Sequence, residues 1–274
     1  MGSELAGFIK ERQAHQVRGL RQAHKVFPKL AIVMTDLENP VIDTYVRMKQ
    51  RYGADILVDV DIHRVEQAKV RALLTELAAD ELVHAIIVQL PMADMSEAES
   101  ILDLVPAEKD VDGLGKDPQF DPATALAIMW LLAGFNVSLE GKDIVLVGYG
   151  KLVGAPLEKL LLNSGITPRI VDKNTPDVPG EVLKADVIVS ATGVAGLIKS
   201  DMVKEGAVVV DAGVASEGGK TVGDAAPELY DRDDLTITPT KGGVGPLTVC
   251  ALFDNVIRAA ERVAEAKQKA KQTA

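Results

Sequence analysis

The chain is poor in the residues that staple or metallate a fold: 274 residues carry one cysteine, one tryptophan and four histidines, and aromatics make up 4%. A lone Cys250 can close no intrachain disulfide and build no thiolate cluster. Its apolar neighbours Leu247, Val249, Ala251 and Leu252 mark it as a buried structural thiol. His15, His24, His63 and His84 are widely separated and pair with no other ligand at a metal-like interval, so no metal is expected. Positive charge is also scarce: 30 Lys and Arg against 40 Asp and Glu give a net charge of −10, which excludes a broad nucleic-acid footprint. No run approaches the roughly 20 apolar residues of a membrane span. The start MGSELAGFIKERQAH lacks the basic-then-apolar order of a secretion signal. A cytoplasmic protein with no membrane or nucleic-acid partner is the expectation.

What is present is alternation. Hydrophobic residues make up 47% and charged residues 26%, an ordinary globular balance. An amphipathic segment from Ser3 to about His24 predicts a helix, and KLAIVM (29–34) a buried strand. A helix from Pro40 to Arg51 follows, then ADILVDV (54–60) as strand, Val65 to Ala79 as helix and HAIIVQ (84–89) as strand. Strands that are apolar throughout, separated by helices, imply a parallel sheet covered on both faces. The stretch PAEKDVDGLGKDPQFDP (106–122) breaks the pattern and is the candidate domain junction. Beyond it, a helix from Thr124 to Phe135 precedes DIVLVG (143–148), a helix from Leu152 to Asn163, and strands at PRIVD, ADVIVSA, AVVVDAG and LTITP. A long helix from Leu247 to about Lys267 ends in lysines, with QKAKQTA as a frayed tail. The expected fold class is therefore α/β with two domains. Residues 1–122 plus the helix 247–268 form one, and 123–246 form a Rossmann-like, doubly wound dinucleotide-binding domain, with a cleft between them.

After DIVLVG the residues Gly148, Tyr149, Gly150, Val153 and Gly154 follow the dinucleotide-fold rhythm with one residue more than G-x-G-x-x-G. Such a turn lets bare backbone approach pyrophosphate at a helix N-terminus. Glycines also serve plain strand-helix packing, so the triplet alone is weak. Asp172 closes the next strand, where a carboxylate commonly accepts the ribose hydroxyls of NAD. It would repel a 2′-phosphate, an effect that Lys173 beside it could offset, so the cofactor is NAD or NADP with a tilt towards NAD. Thr192, Gly193 and Gly213 end later strands, at the edge where open α/β sheets bind ligands or simply turn. In the first half, Tyr45 and Lys49 share a helix face at i and i+4. Gln89 closes a strand before Leu90-Pro91, and Asp112 lies in the junction loop. A partly desolvated lysine would lose its proton near neutrality and serve as an acid-base group, whereas an ordinary helix lysine is merely solvated.

The blocks Tyr45-Val-Arg-Met-Lys49, Val88-Gln89-Leu90-Pro91, Pro106-Ala-Glu-Lys-Asp110-Val-Asp112-Gly113 and Gly242-Gly-Val-Gly-Pro246-Leu-Thr248 stand in the order found in the methylenetetrahydrofolate dehydrogenase/cyclohydrolase family, which this chain resembles. Val153-Gly154-Ala155-Pro156 and Val222-Gly223-Asp224 extend the likeness over nearly the whole length. The resemblance implies a catalytic Lys49, with Tyr45 beside the folate ring, Gln89 bonded to the lysine and Asp112 anchoring the pterin. It further implies substrate contacts at Leu90, Pro91, Gly242, Gly243 and Pro246, and a cofactor contact at Thr124. The activity implied is oxidation of 5,10-methylenetetrahydrofolate to the methenyl form with NAD or NADP, then hydrolysis to 10-formyltetrahydrofolate, by a homodimer. Three departures stand out: Tyr149-Gly150 replaces the Arg-Ser of the family's turn, the loop from Asp112 to Thr124 is short, and 35–44 lacks the family's Gly-Asp-Asp-Pro-Ala-Ser pattern. Alternative readings are another dehydrogenase of the same architecture, or a folate-binding protein with reduced dehydrogenase activity.

Overall fold

A computed structural model describes residues 1–217 and 220–273. In chain order the helices are α1 (Gly2–Gly19), α2 (Pro40–Asp55), α3 (Gln67–Ala79), α4 (Ala98–Leu102), α5 (Ala123–Gly134), α6 (Gly154–Asn163), α7 (Val178–Leu183) and α8 (Val244–Thr273). The strands are β1 (Lys29–Thr35), β2 (Asp59–Val65), β3 (Ala85–Val88), β4 (Ile144–Val147), β5 (Arg169–Val171), β6 (Val187–Ser190), β7 (Val208–Asp211), β8 (Ala215–Glu217), β9 (Lys220–Val222) and β10 (Thr236–Ile237). The chain divides into two compact units. One holds residues 7–123 and 249–274, the other residues 1–6 and 124–248, so the division falls inside α1 and α8.

The first unit is a three-stranded parallel sheet in the order β2-β1-β3. β1 is central and apolar, with Leu30 to Val33 fully buried. Ala31, Val33, Ile86 and Val88 pack against Val70, Leu74 and Leu77 of α3 and Ile101 and Leu102 of α4. Asn39 caps α2 by accepting from the amides of Val41 and Ile42, with Pro40 at the first helical position. The strand expected over 54–60 begins later, at Asp59. Ile56, Leu57 and Val58 instead close α2: Leu57 takes a left-handed backbone (φ 65°), and the amides of Ile56 and Val58 donate to Gly53 O. β2 is an edge strand alternating exposed and half-buried residues, so its signal is weaker than the apolar run before it. At the other edge, Ile86 pairs with Asp110 in a parallel bridge, which carries the sheet's hydrogen bonding into the junction loop.

The second unit holds a five-stranded parallel sheet in the order β10-β7-β6-β4-β5 and a separate antiparallel pair, β8-β9. β4 and β6 are buried throughout and sit inside the sheet. From β4 the chain passes to β5 on one side and then crosses to β6 on the other, so the topological switch point lies at the carboxyl ends of β4 and β6. α8 reaches Thr273, past the expected end near Lys267, because its last turns hold Ala, Lys and Gln with neither glycine nor proline. The initial helix ends at Gly19 and gives way to a wider π turn over Leu20–His24.

Candidate functional site

In the first unit, α2 carries Lys49, β3 leads directly into Gln89, and the Ile86–Asp110 bridge brings Asp112 alongside the end of β3. Lys49 Nζ donates to Gln89 Oε1 at 2.9 Å, and Gln89 Nε2 donates to Leu90 O at 2.8 Å. The glutamine is thus held at one end by backbone and presents its acceptor to the ammonium. Lys49, Gln89 and Asp112 are all half-buried. Desolvation lowers the pKa of Lys49 from its ordinary value, and the negative charge of Asp112 partly restores it. The same desolvation raises the pKa of Asp112, which the lysine's charge opposes. A half-buried amine with a lowered pKa, steadied by an amide and biased by one carboxylate, gives up its proton more readily than an exposed lysine.

The loop that carries Asp112 is pinned on every side. Asp110 Oδ1 accepts from Gly113 N at 3.1 Å and its Oδ2 from Gly115 N at 2.8 Å. Gly113 has a left-handed backbone (φ 67°), and a Cβ there would stand 2.5 Å from Phe120 O. Tyr45, one turn before Lys49, is 38% exposed, and the cis Leu90–Pro91 peptide follows Gln89.

In the second unit the expected ligand residues are mostly bare backbone at the switch point. A Cβ on Gly154 would lie 2.1 Å from Gly148 O, and one on Gly148 (φ 97°) would lie 2.8 Å from Ala191 O. The turn after β4 and the loop after β6 therefore close tightly upon each other. Gly154 begins α6, and Val153 precedes it as the capping residue, with its carbonyl accepting from Leu157 N at 2.9 Å. Gly148 N donates to Val171 O, so Asp172 stands beside the glycine turn at the end of β5. Asp172 accepts from the backbone and side chain of Asn174, while Lys173 is exposed. Tyr149 is 48% exposed and donates to Glu158 Oε2 of α6 at 2.5 Å, with exposed Gly150 next in line.

Thr192 and Gly193 occupy the β6 loop and Gly213 the β7 loop, while Thr124 lies in the first turn of α5. The buried carboxylate of Asp224 fixes the β6 loop, accepting from Ser190 Oγ and Thr192 N, both at 2.7 Å. Asp211 Oδ1 in turn accepts from Gly213 N and Asp224 N. Gly242 (φ 78°), Gly243 and Pro246 belong to this second unit, where Ser3 N donates to Gly242 O at 3.1 Å. The supporting role of Asp211 had no signal beyond a carboxylate at a strand end, and Asp224 was marked only as a member of the Val222-Gly223-Asp224 block.

A parallel sheet with a glycine turn at its switch point, joined in one chain to an α/β unit holding a half-buried lysine, defines a nucleotide-binding α/β protein of the dehydrogenase type. Residues 1–112 match the family model of the tetrahydrofolate dehydrogenase/cyclohydrolase catalytic domain, and residues 122–264 match that of its NAD(P)-binding domain. The chain belongs to the tetrahydrofolate dehydrogenase/cyclohydrolase family. It is 36% identical to the bifunctional protein FolD of Campylobacter jejuni, over 95% of this chain and 97% of that protein. The crystal structure of the bifunctional enzyme FolD from Campylobacter jejuni superposes with a TM-score of 0.89 at 34% identity, covering 95% and 97% of the two chains. That of the Trypanosoma brucei methylenetetrahydrofolate dehydrogenase-cyclohydrolase, complexed with NADP and an inhibitor, gives 0.88 at 30% identity over 96% of each.

Proposed function

We propose that this chain oxidises 5,10-methylenetetrahydrofolate to 5,10-methenyltetrahydrofolate with NAD or NADP and hydrolyses the product to 10-formyltetrahydrofolate. The observation that carries the reading is the 2.9 Å hydrogen bond from Lys49 to Gln89 in a half-buried setting, with Asp112 as the charge acting on the lysine. The residues of the glycine turn fit a dinucleotide: the space that a Cβ would fill at Gly148 and Gly154 is kept bare beside the N-terminus of α6. Gly148, Tyr149, Gly150, Val153, Gly154, Thr192, Gly193 and Gly213 would hold its phosphates and sugars, with Thr124 nearby and Asp172 and Lys173 at the adenosine ribose. When bound, the dinucleotide supplies the hydride acceptor.

In the hydrolytic half, water adds to the bridging carbon of the methenyl cation, and the neutral amine of Lys49 takes the proton that the water sheds. The carbon–N5 bond then breaks, the remaining hydroxyl proton passes to N5, and the lysine returns its proton to solvent. Gln89 keeps the amine pointed at the reacting carbon, Asp112 anchors the pterin, and Tyr45 lies along the ring. Leu90, Pro91, Gly242, Gly243 and Pro246 supply further substrate contacts. Orientation and exclusion of water do the rest.

Two features favour NAD over NADP. Asp172 would repel a 2′-phosphate, and Tyr149 is tied to another carboxylate, Glu158. The reading extends to a cytoplasmic homodimer, tested by sedimentation and cell fractionation. Among the described residues no helix is long and apolar enough to cross a membrane. The deciding experiment supplies purified protein with methylenetetrahydrofolate and either dinucleotide. Reduced dinucleotide should form and the methenyl absorbance should rise and decay; neither signal with either cofactor would sink the proposal.

A further inference from the structure

The junction loop is anchored by an amide that belongs to a distant part of the sequence. Asn255 of α8 is fully buried, one helical turn from the buried Ala251, Leu252 and Ala259. Its Nδ2 donates to Val111 O and to Asp121 O, each at 2.9 Å, while its Oδ1 has no hydrogen-bond partner. A leucine of similar size could make neither bond, and both carbonyls would lose this donor. The two bonds that are made both fall on the loop carrying Asp112: one on the residue immediately before it, the other where the loop ends. α8 also grips the loop between these points, since Arg262 donates to Gln119 Oε1 at 2.7 Å and stacks over Phe120 at 4.5 Å. The charged groups bearing on the far side are few. Asp112 is the one acting on Lys49, and Asp110 is occupied with the amides of Gly113 and Gly115.

We propose that Asn255 is a positioning residue: by holding both ends of the 111–121 loop from α8, it sets where Asp112 stands relative to the Lys49–Gln89 pair at the end of β3. This deepens the reading of Lys49 as the group that handles the proton and rests on it. An exposed surface asparagine could not do this, because only a buried donor pair facing two carbonyls from separate loop ends fixes both at once. The apolar neighbours on α8 supply packing but no direction.

The test measures the lysine itself rather than turnover. The full-length protein is treated with an acylating reagent across a pH series, and modification of Lys49 is followed by peptide mass spectrometry. In Asn255→Ala the labelling curve should move to lower pH, because the ammonium loses part of the carboxylate's support. Asp112→Asn should move the wild-type curve the same way and further, and Asn255→Ala should add nothing in the Asp112→Asn background. Asn255→Ser, which keeps one donor, should give an intermediate curve and carries the comparison if the alanine variant does not fold. An unmoved curve, a shift to higher pH, or two shifts that add would overturn the proposal. Thermal melts alone would respond to a purely structural role; the labelling curve would not. Since labelling needs no folate chemistry, a protein inactive on methylenetetrahydrofolate could still pass this test, and an active one could fail it.

Discussion

The two units carry their candidate chemistry in opposite ways. The Lys49 unit depends on side chains that are charged, half-buried and shifted in pKa. The glycine-turn unit depends on side chains that are missing, at Gly148 and Gly154, where any Cβ would collide with backbone. A site of the first kind is sensitive to charge and tolerant of volume; a site of the second kind is the reverse. Substitutions of matched type therefore separate the two.

The largest effect is expected from Lys49→Met, which should slow methenyl hydrolysis by roughly 10²- to 10⁴-fold, read from the decay of methenyl absorbance, with dinucleotide affinity unchanged. The same variant should lose a slope in stability. Folded Lys49 binds its proton less tightly than unfolded Lys49, so it contributes stability that rises with pH between its lowered value and the ordinary 10.5. Denaturant melts across that window should be flatter for methionine; an unchanged slope contradicts the lowered pKa.

Next comes Gly154→Val, the converse probe. The added side chain meets Gly148 O, so stability should fall by about 1–3 kcal/mol and calorimetric dinucleotide binding should be lost. Labelling of Lys49 should stay as in the parent, and a joint change would break the contrast between the units. Asp112→Asn is milder: with the carboxylate gone, the lysine limb of the pH-rate profile should move to lower pH, and movement to higher pH would reverse the assigned electrostatics. The smallest effect is expected from Tyr149→Arg, which frees Glu158 and offers a guanidinium beside Asp172. It should raise NADP affinity about tenfold relative to NAD by calorimetry, and no change in that ratio would remove the turn from cofactor choice.

How much of this was legible in the sequence follows the range of the interactions. β1, β3, β4 and β6 were readable because buried parallel strands are continuous apolar runs. β2 was misplaced because an edge strand such as DVDIHRV alternates, and a helix end supplied the stronger apolar signal. α7, opened by Asp177 and Pro179, passed unnoticed because six residues are too few to show a period. Family blocks drew Lys49, Gln89 and Asp112 together. Spacing gave only Tyr45 and Lys49 on one helix face, since the other partners are joined across 40 residues or more. Asn255 was invisible for the same reason. Its two bonds cross 144 and 134 positions, and nothing local distinguishes it from any polar residue in a long helix.

Those two bonds also order events during synthesis. The ribosome finishes every strand of both sheets before it makes α8, and until that helix emerges the carbonyls of Val111 and Asp121 have no amide to meet. A chain stopped before residue 255 would hold Lys49, Gln89 and the Ile86–Asp110 bridge but lack the amide that ties Val111 to Asp121, so the loop gains this tie only once α8 has been made.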